Sequence, residues 1–257
     1  MRVLIACEYS GTVRDAFIDL GHDAISCDLL PTDKQGPHYV GDVMDIIGDG
    51  WDLMIAHPPC TFLTIAAEWA YNETQTKKIK PGTLIGRERE RARSESLEFI
   101  CKLWNAPIKK ICIENPVGVI NSRLPFMPKP QIIQPYDFGD DASKKTCLWL
   151  KNLPDLVQTE YIKPRLVCCG AVVPDELGKY GCPNFCGDNI ARPRWGNQTN
   201  SGQNNLGPSD DRWKIRSQTY KGIAQAFANQ WGGHDIIESQ KTEAICPQHS
   251  TERSTLF

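Results

Sequence analysis

No apolar run in these 257 residues approaches the roughly 20 that a helical membrane span requires, so none is expected. Charge of one sign is not in excess either. The 29 Lys and Arg stand against 31 Asp and Glu, for a net charge of -2, which argues against a histone-like coat on nucleic acid but leaves local basic patches open. Histidine is scarce, and His22, His38, His57, His234 and His249 form no metal-spaced pair. His57 is taken to shape a proline turn. The opening apolar stretch stops at Glu8, too soon for a signal peptide. Internal repeats are also absent.

Cysteine, by contrast, is plentiful at 11 residues. The count is odd, and Cys7, Cys27 and Cys112 sit inside strand-like apolar runs. A reducing cytoplasm, with most thiols acting as small buried hydrophobes, is the expected setting. An apolar content of 40% with 23% charged residues fits a folded chain with one good core and a small appended segment.

Short apolar runs alternate with helix-period segments. Val3 to Cys7, Ala24 to Cys27, Leu53 to Ala56 and Ile111 to Ile113 predict buried strands, and Lys144 to Leu150 one more. Gly11 to Leu20, Arg87 to Trp104 and Tyr220 to Trp231 carry apolar residues at helical spacing. This alternation predicts an α/β fold: a mainly parallel open sheet with helices on both faces, Rossmann-like, plus a small irregular inserted segment. The expected division is a catalytic unit at 1–155 and 212–232, an inserted segment at 156–211 without regular period, and a polar tail at 233–257.

Open parallel sheets bind ligands at the carboxyl ends of their strands, and the unusual polar clusters fall there. Pro58 and Pro59 follow a buried strand, stop the ladder and hold Cys60 at the sheet's edge. Cys60 there is either an ionisable nucleophile or an inert thiol after a proline turn. Glu114-Asn115-Pro116 ends another strand in the same way, and a carboxylate there can hydrogen-bond a substrate or simply cap a turn. Asp28 ends the second strand, where an acid commonly takes a ribose hydroxyl pair. Gly41-Asp42 could end the next, and Ser10-Gly11 precedes the first helix, where a close-approaching ligand needs small residues.

The order of these motifs resembles the cytosine-5 DNA methyltransferases, in a short form like those of phages and prophages. The matching positions are Ser10-Gly11, Asp28, Gly41-Asp42, Pro59-Cys60, Glu114-Asn115, the segment 156–211 and the helix from about Thr219. Three departures are visible. The family's glycine-rich loop is reduced to Cys7-Glu8-Tyr9-Ser10-Gly11, Pro116 follows Asn115, and Ser143-Lys144-Lys145-Thr146 stands where the family has an arginine-bearing strand.

The resemblance implies methyl transfer from S-adenosylmethionine to a flipped cytosine in double-stranded DNA by a monomer. It implies Cys60 as the nucleophile, with Pro59, Glu114 and Asn115 beside it. The implied cofactor contacts are Ser10, Gly11, Val13, Asp28, Asp42, Pro58 and Thr219, and the implied nucleic-acid contacts Lys144, Lys145, Thr146, Arg192 and Arg194. RNA or another one-carbon pyrimidine modification, and a nucleic-acid-binding pseudoenzyme, are the alternatives.

Between Lys77 and Lys110, ten basic residues stand against four acidic ones, suiting either phosphate contact or a solvated Glu-Arg helix face. Residues 61–86 are expected to form a lid. Between 161 and 221, nine basic residues face five acidic ones, and Trp195, Asn197, Gln198, Asn204 and Asn205 could read base edges. In the same stretch Cys168, Cys169, Cys182 and Cys186 fit either a structural zinc or plain thiols.

Overall fold

The computed structural model describes residues 1–74, 81–180, 190–209 and 211–233. Seven strands form one sheet: β1 (Arg2–Ala6), β2 (Asp23–Asp28), β3 (His38–Val40), β4 (Leu53–Ala56), β5 (Lys110–Pro116), β6 (Gln131–Ile133) and β7 (Thr146–Lys151). Their spatial order is β3-β2-β1-β4-β5-β7-β6. The first five strands pair in parallel, and β7 runs antiparallel between β5 and β6. This is a mixed α/β fold of Rossmann-like type, with helices on both faces of a mostly parallel sheet.

The strand sequences explain why the sheet is covered twice. In β1, Val3 and Ile5 point to one face and Leu4 and Ala6 to the other, and all four are fully buried. The first pair packs with Val13 and Phe17 of α1 (Thr12–Ile18) and with Phe227 and Trp231 of α5 (Lys221–Trp231). The second packs with Ile100 and Leu103 of α2 (Gly86–Trp104). A short α3 (Ile120–Arg123) follows β5. Among the described residues, no helix is long and apolar enough to cross a membrane.

Two charged side chains buried around α1 fix the sheet's left edge. Glu8 takes the role of an N-cap, since Gly11, at the cap position, has no side chain to offer. Its carboxylate accepts from the backbone N–H of Val13 at 2.8 Å and of Arg14 at 3.3 Å, and from the Ser10 hydroxyl at 3.0 Å. Arg14 is fully buried. It donates to Asp15 at 2.7 Å, to Ser26 Oγ at 3.2 Å and to the Gln35 carbonyl at 3.2 Å, tying the β2–β3 connection to the helix. A Cβ on Gly11 or Gly36 would lie 2.4 or 2.7 Å from the Arg14 guanidinium, and both glycines have positive φ.

The segment expected to lack regular structure contains a second, three-stranded antiparallel sheet. It is made of β8 (Arg165–Cys168), β9 (Ala171–Val172) and β10 (Arg192–Arg194), in the order β10-β8-β9. Strands of two to four residues carry too few alternations to register as a period. The rings of Trp195 and Tyr136 stack at 4.1 Å, and Asn197 exchanges two 3.0 Å hydrogen bonds with the Ser143 backbone, fastening this sheet to the main one. Beyond it lies α4 (Arg212–Ser217).

Candidate active site

The parallel register of β4 and β5 sets Ala56 opposite Ile113, so the polar clusters that follow leave the sheet side by side. Pro58 is buried and Pro59 exposed, and neither can extend the ladder. Asn115 is buried, and its amide donates to the Pro58 carbonyl at 2.8 Å. The two strand ends are thus pinned together, and Cys60 and Glu114 lie within each other's field. Cys60 is half-buried.

Burial pushes the Cys60 thiol above its ordinary value, and the Glu114 charge adds to this. Lys144 and Arg216 act the other way. For Glu114, burial alone raises the carboxyl. The hydrogen bond from His57 and the charge of Lys144 outweigh it, and the group is held below the usual carboxylate range. Lys144, just before β7, is anchored by donating to the Arg216 carbonyl at 3.1 Å. His57, taken from sequence as a turn former, instead places Nδ1 3.0 Å from Glu114 Oε2. Its adjacency to Pro58 and the register of β4 with β5 were the available signals.

The chain after Cys60 turns at once, with the N–H groups of Leu63 and Thr64 donating to the Cys60 carbonyl at 3.0 and 3.2 Å. It then forms a 3₁₀ helix at Ile65–Tyr71. Two buried arginines of α2 hold this stretch. Arg93 donates to the Phe62 carbonyl at 2.9 Å, pairs with Glu68 and lies 3.6 Å from the Tyr71 ring centre. Arg89 donates to the Thr61 carbonyl at 3.3 Å and stands over the Phe62 and Tyr71 rings. The first part of the expected lid is therefore clamped, and these two arginines are buried against it. Arg87 and Arg91 are exposed and paired with Glu73 and Glu95. Lys77, Lys78 and Lys80 lie outside the described residues.

Ser10 and Val13 are turned inward, the one bonded to Glu8 and the other in the core; Gly11 is buried against Arg14. Asp28 and Asp42 converge on Cys7 at the ends of β1 to β3, and burial together with both charges pushes that thiol up. The neighbouring Cys27 thiol is pushed up to about 12 by burial and the same two acids. Asp28 is half-buried and accepts from Leu30 N–H at 2.9 Å; Asp42 is exposed and caps Met44 N–H. Thr219 is half-buried just before α5.

On the other side, Lys145 and Arg192 are exposed and Thr146 is buried. Arg194 donates to the Asn200 carbonyl. Of the expected base readers, Trp195 is buried, Asn197 and Gln198 bond the backbone of Ser143 and Trp195, and Asn204 and Asn205 are exposed, the one accepting from Leu206 N–H and the other donating to the Gly196 carbonyl. The sequence reading missed α4, which presents Arg212, Lys214 and Arg216. The Tyr9 hydroxyl donates to its Lys214 carbonyl at 2.9 Å.

Of the four candidate zinc ligands, Cys182 and Cys186 lie outside the described residues. The sulfurs of Cys168 and Cys169 are 3.9 Å apart, and no group of three or more metal-ligating residues is found among the described ones.

No family model matches the chain, and no curated protein is similar to it. Among solved structures, the chain resembles that of an E. coli protein encoded within a prophage and provisionally named a DNA modification methyltransferase, at 12% identity and a TM-score of 0.35. The match covers 58% of this chain and 46% of that one, so it spans less than half of that protein.

Proposed function

We propose that this chain is a DNA cytosine-5 methyltransferase acting through a covalent cysteine adduct, with S-adenosylmethionine as its cofactor. The observation that carries this reading is the pairing of Cys60 and Glu114 at neighbouring strand ends, with Asn115 locking the two together.

The residues at the sheet's left edge suit that cofactor. A dinucleotide would need the free N–H groups of α1 for its pyrophosphate. Here Glu8 already accepts from Val13 and Arg14, so the loop favours a ligand without phosphate. Asp28 and Asp42 supply carboxylates for a ribose diol and an adenine amino group, and Thr219 closes the far side. Their negative charge also suits a sulfonium cation, while Lys144, Lys145, Arg192 and Arg194 face the polyanion.

When bound, S-adenosylmethionine supplies an electrophilic methyl group. The protein's own residues do the rest. Cys60, once ionised, adds its sulfur to C6 of the everted pyrimidine and makes C5 electron-rich. Glu114, as a carboxylate, accepts from the 4-amino group and from the N3–H that forms when the ring takes a proton from water as charge builds on addition. Asn115 and Pro59 keep the sulfur in place, and loss of the C5 proton to water lets Cys60 leave as the thiolate.

DNA carrying 5-fluorocytosine, incubated with the cofactor, should trap a covalent complex that Cys60→Ser does not form. DNA binding without an adduct would leave a nucleic-acid-binding pseudoenzyme instead, and labelled methyl transfer to RNA but not DNA would move the reaction to RNA.

A further inference from the structure

The chemistry above assigns nothing to His57, yet its ring is one of the most enclosed groups of the site. The side chain is 8% exposed, and Nδ1 lies 3.0 Å from Glu114 Oε2. A carboxylate oxygen only accepts, so Nδ1 carries the proton and donates. Nε2 is buried and, among the described residues, has no hydrogen-bond partner. A ring serving only as filler in a proline turn would be cheaper as an apolar side chain, because an unpaired buried nitrogen costs about 1–3 kcal/mol. The contact occupies one carboxylate oxygen and leaves the other available.

Resting on the cytosine-5 reading, we propose that His57 is a positioning residue: through Nδ1 it holds the Glu114 carboxylate in one rotamer, presenting the second oxygen to the pyrimidine edge.

The titratable groups facing Glu114 are His57 from the end of β4, Lys144 from the approach to β7, and the thiols of Cys60, Cys112 on β5 and Cys147 on β7. Of these, only His57 donates a hydrogen bond to the carboxylate in the structure. Without it, only the charge of Lys144 opposes burial, the neutral acid gains ground, and the negative charge beside Cys60 weakens.

The test reads Cys60 directly and needs no turnover. Iodoacetamide labelling of the intact protein, followed by peptide mass spectrometry, gives the Cys60 alkylation rate across the neutral and alkaline range. His57→Ala should speed alkylation at neutral pH about tenfold, the size of one pKa unit. His57→Asn, whose amide nitrogen falls near Nδ1, should keep the original rate. If Ala does not fold, His57→Gln, whose amide falls near Nε2, takes its place with the same expectation. In methyl transfer, Ala should lower kcat about 10²-fold with little change in KM for the cofactor, and Asn should recover most of it.

Equal alkylation in all variants, or the same change in Ala and Asn, would overturn the proposal. The proposal and the function separate cleanly: expected alkylation rates in a protein that transfers no methyl group keep the positioning role and remove the cytosine-5 reading. Methyl transfer with unaltered alkylation does the reverse.

Discussion

Asn115 reaches across from β5 to the carbonyl of Pro58, donating its side-chain amide at 2.8 Å. Proline has no N–H, so this carbonyl is the only backbone hydrogen-bonding group residue 58 has, and Asn115 satisfies it from the side. Asn115→Ala leaves a buried acceptor unpaired and should cost about 1–3 kcal/mol in urea unfolding. Asn115→Asp sets two acceptors against each other and should cost at least as much. Unchanged midpoints in both variants would mean that the contact does not hold the two strand ends.

Gly118 lies two residues beyond β5, where the chain passes the stretch after Cys60. A Cβ there would fall 2.0 Å from the Leu63 carbonyl oxygen and 3.2 Å from the Thr64 Cα. The atoms in the way are backbone, so no rotamer change gives relief. Gly118→Ala should displace the Cys60 turn and lower 5-fluorocytosine adduct formation about 10²-fold, the effect of roughly 1 Å of misplacement. Adduct formation at the original rate would show that the turn tolerates the shift.

The clamp of Arg93 on Phe62, Glu68 and Tyr71 makes α2 a support for the nucleophile's segment. Arg93→Met removes a charged donor and a cation–ring contact and should destabilise the fold by about 2–3 kcal/mol. Hydrogen exchange over 61–72 should accelerate more than elsewhere. Arg93→Lys should rescue little, because one ammonium cannot replace the guanidinium fork. Full recovery by lysine would reduce the clamp to simple charge.

The rate should depend on pH through Cys60. Its thiol sits above the ordinary value, chiefly through burial, so at neutral pH it is protonated and the rate rises as pH increases. Lys144 works against burial, so Lys144→Ala should move that rise to higher pH and slow Cys60 alkylation at neutral pH. A profile unmoved by this substitution would remove Lys144 from the nucleophile's field.

Lys145 and Arg192 are exposed on the basic side, where the bound polyanion should lie. Each replaced by Ala should flatten the dependence of log binding constant on log salt by about 0.9 if it contacts one phosphate. An unchanged slope would place the duplex elsewhere.

The sheet was visible in the sequence because its strands are buried on both faces and read as unbroken apolar runs; Leu53 to Ala56 is bounded where the run ends. Cys60 and Glu114 were visible because proline marks both exits. His57, Arg89 and Arg93 were not, since polar residues at helix or turn positions look solvent-facing until a partner from another element is placed beside them. The same holds for Trp195 and Asn197, whose polar chemistry suits a base edge but is spent on Tyr136 stacking and the Ser143 backbone. The short second sheet escaped because pairing, rather than pattern, defines strands of this length.

Arg14 sits between two glycines that are 25 residues apart in sequence, and it leaves no room for a side chain on either. Sequence change at this corner must therefore be concerted. A bulkier residue at position 11 or 36 needs the arginine displaced and still has to adopt a positive φ, and losing the arginine unfastens the loop that carries position 36. Collections of related chains should show these three positions drifting as a set, and grafts of this loop onto another scaffold should succeed only when all three travel together.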